Sequence, residues 1–214
     1  PLASRRRAGR PQAGPRRDLA ARLAVRVTCL VVGLPVSDAD FLREIVSRYF
    51  SRRPDVKGMP PDAFQAMTEL RAYLEAAVAA QRVGRVNQPG VLAALCDAQI
   101  DGVRLTDNQV AAQLSTLVVG GTETLPKVFA GGVWLLARHP DQRARLVEDP
   151  TRIPDAFTEM ARLEMPTNFL ARTLASDITL HGQELREGQG VLFLYRSANR
   201  DEREFPDAER FDID

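Results

Sequence analysis

The sequence has few of the residues that build disulfide frameworks or metal centres. It contains two cysteines, two histidines and one tryptophan in 214 residues. Cys29 and Cys96 are too few for a disulfide framework, and neither has a cysteine or histidine partner at the spacing of a metal site. This content excludes a disulfide-stapled secreted domain and favours a reducing cytoplasm.

Lysine is almost absent, because Lys57 and Lys127 are the only two and arginine carries nearly all the positive charge. The formal net charge is +1, so the chain as a whole is not drawn to nucleic acid or to an anionic membrane. Residues 1–17 hold six arginines and no acid, which predicts a basic disordered arm. The arm is either a nucleic-acid tail or a solvated, non-native leader, and the lack of an aromatic residue for base stacking favours the leader.

Several signatures are missing from the sequence. It shows no secretory signal, internal repeat, phosphate loop or Gly-x-Ser-x-Gly elbow. The long apolar stretch after residue 106 resembles a membrane span, but Gln113, Glu123 and Lys127 interrupt it and argue against one. We therefore expect no membrane and no nucleic acid among the partners.

Helical periodicity covers most of the chain, and a period of two begins at Phe169. The predicted helices span residues 18–34, 37–50, 62–83, 91–98, 106–137, 141–147 and 155–162. The predicted strands span residues 170–174, 178–180, 183–185 and 191–194. Residues 51–61 are predicted as a loop between two helices, and turns are predicted at Asp101–Gly102 and His181–Gly182. The expected inward stripes are Leu19, Leu23, Val27, Leu30, Val31 and Leu34 in the first helix, and Phe64, Met67, Leu70, Leu74, Ala77 and Val78 in the third. The fold class is thus mainly α with a small β-sheet (α+β), in one domain from residue 18.

The stretch from Thr106 to Ala137 is expected to be a central helix, buried nearly all round. Thr106 and Gln109 form a capping box at its start, and Pro140 ends it. Its middle is weak, because Gly120 and Gly121 are adjacent and Pro126 follows.

Thr122, Glu123 and Thr124 lie between the glycines and Pro126, and Thr124 is placed to bond the carbonyl of Gly120. A carboxylate and hydroxyls in the weakest part of an apolar helix indicate a site where something flat approaches the backbone. The alternative is a kinked core helix in which Glu123 is merely ion-paired.

Three short motifs follow one another in a specific order: Gly120 to Thr124, Glu159 with Arg162, and Ala208 to Phe211. Together with Phe169 to Arg172 and the strands, this set resembles the cytochrome P-450 family of haem-thiolate monooxygenases in its soluble bacterial form. The resemblance covers about residues 18–214 and implies an incomplete cytochrome P-450 fold.

The resemblance implies roles for individual residues. Glu123 and Thr124 match the acid–alcohol pair that assists proton delivery and O–O cleavage, and Gly120 and Gly121 match the groove beside the haem. Arg172 falls where the family binds a haem propionate. The family's buried Glu–Arg–Arg network corresponds to Glu159, Arg162 and Arg210, and its substrate pocket to Leu117, Thr167, Asn168, Phe169 and Leu170.

The family also implies a small organic substrate and electrons from NAD(P)H through a ferredoxin and its reductase. Its iron ligand is a Cys in a Phe-Gly-x-Gly loop, expected beyond Asp214, and neither Cys29 nor Cys96 has such surroundings. We therefore expect the middle part of a longer haem monooxygenase, inactive on its own. The alternatives are a non-catalytic truncated product and an Arg-tailed helical module that binds nucleic acid.

Overall fold

The computed structural model describes residues 19–85 and 88–214, which divide into two compact units that meet in sequence at Pro126 and Lys127. The predicted basic arm and Asp18 lie outside the described residues. The single domain predicted from residue 18 to residue 214 stays a prediction.

The first unit is helical apart from one small hairpin. Its helices are α1 (Ala21–Val32), α2 (Ala39–Tyr49), α3 (Pro61–Arg82), α4 (Val91–Asp97) and the first part of α5 (Asp107–Arg138). The hairpin pairs β1 (Gln99–Ile100) with β2 (Val103–Arg104) in antiparallel register. The helices confirm the predicted elements, whereas β1 and β2 were predicted only as the turn between them, Asp101 and Gly102.

The core of the first unit lies among α1, α2, α3 and α5. Leu42, Leu74 and Leu114 are fully buried there, each from a different helix. In α3 the predicted inward positions Leu70, Leu74 and Val78 are buried, which confirms the second half of that stripe. Its first half is wrong, because Phe64 is 58% exposed and Met67 36% exposed. Ala63 and Ala66 are buried in their place, since close packing against α2 favours the small residues of that turn.

The orientation predicted for α1 is also wrong. Leu23 is 52% exposed and Leu30 65% exposed, and Leu19, Val27 and Val31 are exposed as well. The buried face instead consists of Ala24, Val25, Thr28, Cys29 and Val32. Both faces of this helix are apolar, so periodicity alone does not identify the one that packs. Of the predicted stripe only Leu34, just beyond the helix, is buried.

Two polar contacts join α2 and its preceding turn to α3. Arg48 pairs with Glu69, and the hydroxyl of Tyr73 donates to Asp38 at 2.7 Å. Desolvation raises the pKa of Tyr73 well above its usual value, and the bond to Asp38 raises it further, so the hydroxyl stays a donor. Residues 50–60 connect the two helices, which confirms the predicted loop.

Helix α5 begins at the predicted capping box. The backbone N–H of Thr106 donates to Gln109 at 2.8 Å, and the backbone N–H of Gln109 donates to the Thr106 hydroxyl at 3.3 Å. Its expected burial all round is wrong. One side is fully buried at Val110 and Leu114, whereas Leu117 is 43% exposed, because only one side of the helix packs into the core of the first unit.

The second unit consists of the end of α5, three further helices and two strand pairs. Its other elements are α6 (Pro140–Glu148), α7 (Ile153–Leu163), β3 (Leu170–Thr173), β4 (Ile178–Leu180), β5 (Gln183–Leu185), β6 (Gly190–Phe193) and α8 (Tyr195–Ala198). Strand β3 pairs with β6 and β4 pairs with β5, both antiparallel. His181 and Gly182 turn the β4–β5 hairpin as predicted, both with positive φ.

Leu135, Ala156, Leu163, Phe211 and Ile213 form the core of the second unit. Leu192 and Phe193 of β6 are each about half exposed. The mainly α class with small sheets is therefore confirmed. In the described part of the chain, no helix is both long and apolar enough to cross a membrane.

Candidate active site

The turn of α5 from Gly120 to Pro126 contains a hydrogen bond from a side chain to the backbone. The Thr124 hydroxyl donates to the carbonyl of Gly120 at 2.5 Å, one turn earlier. Pro126 lies inside the helix and has no N–H to give to the carbonyl of Thr122. The backbone thus lacks one helical hydrogen bond at the end of this turn, and at its start it carries a side-chain bond of the kind that often bends helices. Glu123 and Thr124 are both half-buried there.

The two glycines of this turn have different surroundings. A Cβ placed on Gly120 would meet no atom within 4 Å, so that side of the helix is open. A Cβ placed on Gly121 would lie only 2.5 Å from the hydroxyl oxygen of Thr28 on α1. Thr28 therefore belongs to this site, although none of the sequence motifs includes it. Its only signal in the sequence is a single hydroxyl in the apolar run from Val25 to Val32.

An apolar groove of about 290 Å³ lies beside the turn, between α1 and α5. Its walls are Ala24, Val27, Thr28, Val31, Val32, Val91, Leu117, Gly121 and Leu125. The Thr28 hydroxyl already donates to the carbonyl of Ala24 at 2.9 Å, so it adds little polarity to the wall. Such a groove suits a flat, apolar surface rather than an ion.

One buried hydroxyl near the groove has no hydrogen-bond partner. Thr122 is 3% exposed, and its side-chain oxygen makes no hydrogen bond to any residue that the structure describes. Buried hydroxyls of folded proteins are nearly always paired, so this one marks the same turn as unusual. It follows Gly121 directly and precedes Glu123.

In the second unit, Glu159 and Arg162 of α7 form a shielded ion pair. The guanidinium binds both carboxylate oxygens, at 2.6 and 2.7 Å, and both side chains are only 13% exposed. Arg162 also donates to the carbonyls of Asn199 and Ala208, at 2.8 and 2.7 Å. The bond to Glu159 raises the pKa of Arg162 above its usual value, so this charge is permanent. The pair thereby fastens α7 to the chain that follows the strands.

Arg210 joins this network differently from the prediction. Its backbone carbonyl accepts from Arg162 at 3.0 Å, but its own guanidinium pairs with Asp212 at 3.2 Å and is 63% exposed. The prediction of a buried guanidinium at this position is therefore wrong. Arg162 already supplies Glu159 with two hydrogen bonds, and the backbone N–H of Asp212 supplies another at 3.1 Å. The carboxylate is thus satisfied without a second arginine.

The other predicted site residues fall into two groups. Leu117 lines the groove of the first unit next to Gly121 and Leu125. Residues 167–170 lie in the second unit, where Thr167 is half-buried and Phe169 is 58% exposed. Asn168 and Leu170 are also exposed. Arg172 lies on β3 with an exposed guanidinium that donates to the carbonyl of Ala171 at 2.9 Å.

Neither cysteine offers an accessible thiolate. Cys29 is fully buried and Cys96 is 5% exposed, and burial raises the pKa of both thiols above the usual value. A cysteine binds a metal as a thiolate, which forms most readily in exposed, electropositive surroundings. These two buried positions are therefore unsuited to iron. Within residues 19–85 and 88–214, no group of three or more His, Cys, Asp or Glu side chains is arranged to hold a metal ion.

Comparison with known proteins decides the family. Residues 62–214 match the family model described as cytochrome P-450. The chain belongs to the cytochrome P-450 family. The matched range contains the Gly120–Thr124 turn, the Glu159–Arg162 pair and Arg172, all of which had been singled out from the sequence.

Three curated cytochromes P-450 or related oxygenases illustrate the likeness. A Mycobacterium tuberculosis protein provisionally named cytochrome P-450 123 is 35% identical over 92% of this chain and 48% of its own length. A methyl-branched lipid omega-hydroxylase of the same species is 32% identical over 92% of this chain and 46% of its own. A steroid C26-monooxygenase of Mycolicibacterium smegmatis is 30% identical over 92% of this chain and 49% of its own length.

Solved structures show the same fold. A Mycobacterium marinum cytochrome P-450 in complex with pseudoionone is 30% identical, with a TM-score of 0.83 over 94% of this chain and 49% of that one. The ligand-free cytochrome P-450 TbtJ1 is 28% identical, with a TM-score of 0.80 over 93% of this chain and 53% of that one. The chain thus spans about half the length of the relatives it matches, and its cytochrome P-450 fold is incomplete.

Cytochromes P-450 use haem, and part of this site fits that group. The open side of Gly120 leaves the helix backbone accessible to a flat group, and no charged residue lines the apolar groove next to Gly121. Arg172 presents an exposed guanidinium of the kind that binds carboxylates such as a propionate. The buried cysteines do not fit the role of iron ligand.

Proposed function

We propose that this chain carries the oxygen-activation helix of a haem-dependent monooxygenase, which inserts one atom of O2 into a small organic substrate. The observation that carries the proposal is the Thr124–Gly120 hydrogen bond in a turn that is open on its Gly120 side. A half-buried carboxylate, Glu123, precedes that hydroxyl directly. A bound haem would supply the activation of dioxygen.

Glu123 and Thr124 have the chemistry to hold and transfer protons. Because the Thr124 hydroxyl gives its hydrogen to Gly120, its oxygen lone pairs remain available to accept a hydrogen bond from water. Glu123 is able to take protons from solvent and return them at that point, as a general acid with an accessible side chain. The residue after this pair is Leu125, which has no hydroxyl group and cannot take part in proton transfer.

We further propose that the open Gly120 side of α5 contacts the haem face, that Gly121 lines the neighbouring groove, and that Arg172 binds a propionate. Leu117 and Thr167 to Leu170 would then line the substrate pocket. Glu159 and Arg162 have a structural role, because both oxygens of the carboxylate are already occupied. Arg210 contributes to that network through its carbonyl.

The substrate is proposed to be an apolar or moderately polar small molecule. Two relatives, named as a lipid hydroxylase and a steroid monooxygenase, support this class. Electrons would come from NAD(P)H through a ferredoxin and its reductase, as in soluble bacterial members of the family. Two unpaired cysteines support a cytoplasmic location.

The test compares two threonines of α5 in a haem-loaded protein that contains this chain together with the iron-ligating loop of the family. Thr124 and Thr116 both donate to the carbonyl four residues earlier, at 2.5 and 3.3 Å. Thr124→Val is expected to lower product formed per NAD(P)H by at least roughly 10-fold and to release hydrogen peroxide instead, because proton delivery is lost. Thr116→Val should behave like wild type. Full coupling in Thr124→Val, or no oxygenated product from the wild-type protein, would contradict the proposed function.

A further inference from the structure

Thr28 of α1 lies directly against the bare backbone of Gly121. A Cβ on Gly121 would lie 2.5 Å from the Thr28 hydroxyl oxygen, 3.4 Å from its methyl carbon and 3.5 Å from its Cβ. Only the first distance is shorter than real contacts allow, so the hydroxyl is the reason why glycine is needed here. The neighbouring Gly120 has no such constraint, since nothing lies within 4 Å of the place of its Cβ.

The Thr28 hydroxyl is fixed in position. It donates to the carbonyl of Ala24 at 2.9 Å, and the residue is only 8% exposed. Rotation away from Gly121 would break that bond in apolar surroundings, which costs free energy. Thr28 therefore acts as a rigid spacer between α1 and α5.

The part of α5 opposite Thr28 is the part least able to hold its own shape. Adjacent glycines and Pro126 weaken the backbone, so a neighbouring helix determines its path there. Glu123 and Thr124 follow Gly121 within one turn. We infer that Thr28 is a positioning residue for Glu123 and Thr124. Its fixed hydroxyl lies against the Cα of Gly121 and thereby determines the position of the weakened turn.

The inference rests on the proposed function for the catalytic role of Glu123 and Thr124. The contact between Thr28 and Gly121 is testable without haem. Amide hydrogen exchange in the full chain measures opening of the backbone at each residue. Thr28→Ala removes the spacer and should raise exchange at residues 121–125 by about tenfold, while residues 110–118 of the same helix remain as in wild type. Thr28→Ser keeps the hydroxyl and should leave exchange at both places unchanged.

A second pair of variants tests the close contact from the other side. Gly121→Ala should raise exchange at residues 121–125, and Thr28→Ala in the same chain should bring it back toward wild type, because the overlapping oxygen is gone. Gly120→Ala is the matched control and should slow exchange or leave it unchanged. If Gly121→Ala fails to fold, the comparison of Thr28→Ala with Thr28→Ser decides. Equal changes along all of α5, or no change in Thr28→Ala, would overturn the inference.

A readout in the same haem-loaded protein, which contains this chain together with the iron-ligating loop of the family, separates positioning from packing. Thr28→Ala should increase the hydrogen peroxide released per product formed, and Thr28→Ser should not. If exchange changes and this ratio does not, Thr28 only packs and the positioning role is rejected. If the wild-type protein forms no product at all, the proposed function fails, while the exchange experiment still decides the contact between Thr28 and Gly121.

Discussion

Arg162 binds Glu159 through two hydrogen bonds and spends its remaining donors on three backbone carbonyls, those of Asn199, Ala208 and Arg210. A single guanidinium thus connects α7 to two separate stretches of the chain beyond β6. The planar fork of arginine matches this set of acceptors, and a lysine ammonium does not.

Replacing this guanidinium should destabilise the second unit. Arg162→Lys is expected to lower the free energy of unfolding by about 3 kcal/mol, because buried carbonyls and part of a shielded carboxylate lose their partners. Urea unfolding followed by the fluorescence of Trp134, which lies in the same unit, measures the loss. Arg186→Lys is the control: that side chain is 63% exposed, and its pairs with Asp177 and Glu184 should be worth less than about 1 kcal/mol. Equal losses in the two variants would contradict the structural role of Arg162.

Gly90 should also be sensitive to substitution, for a different reason. It has a φ of +154°, and a Cβ there would lie 2.7 Å from the backbone nitrogen of Gly33. Gly90→Ala must push apart the start of α4 and the end of α1, which we expect to cost about 2 kcal/mol in the first unit. Gly120→Ala, with open space around its Cβ, should instead gain about 1 kcal/mol from helix propensity. Circular dichroism during urea unfolding checks both; a Gly90→Ala variant as stable as wild type would show that the two segments separate freely.

The carboxylate of Asp214 gives the second unit a dependence on pH. Its bonds to Arg145, and then to Arg152, lower its pKa from 3.8 to about 2. Because the folded pKa is the lower one, this group stabilises the fold above about 3.8, and the contribution disappears as the pH falls toward 2. Nuclear magnetic resonance titration of the carboxyl group checks the shift directly. In Asp214→Asn the unfolding midpoint should depend less on pH over that window. About 1 M salt should also reduce the pH dependence of the wild-type protein, because it screens an exposed ion pair.

Haem added to this chain should not bind through sulfur. Cys29 and Cys96 are buried, and burial keeps both thiols protonated by raising their pKa. The spectrum of the reduced, carbon monoxide-treated mixture is therefore expected to lack the thiolate-ligated form. The chain carrying both Cys29→Ala and Cys96→Ala should give the same spectrum. A thiolate-type band that vanishes in this double variant would prove that one of the two cysteines binds iron.

Local signals in the sequence predicted local structure well. The start of α5 followed from Thr106 and Gln109, whose side chains meet within one turn, and the bond from Thr124 to Gly120 followed from their spacing of four residues. The glycine turn at His181 and Gly182 was predicted for the same reason. In each case the partners lie so close in sequence that the backbone geometry of one turn fixes their distance.

Contacts between distant segments were the part that the sequence did not reveal. Helix α1 has two apolar faces, and contacts with α2 and α5 determine which of them is buried. The prediction that Leu23 and Leu30 face inward was therefore wrong. Arg210 was placed in the network by its motif, yet Asp212 two residues later takes its guanidinium. Thr28 gave no sign of meeting Gly121, because nothing in either local sequence records the approach of two helices 93 positions apart.

The cross-links between α2 and α3 have a practical consequence for limited proteolysis. The connecting loop exposes Arg52 and Lys57, so trypsin should cut there early. The pair of Arg48 with Glu69, the bond from Tyr73 to Asp38 and the shared core would still join the two products. A nicked sample should therefore elute as one species in native chromatography and separate only after denaturation.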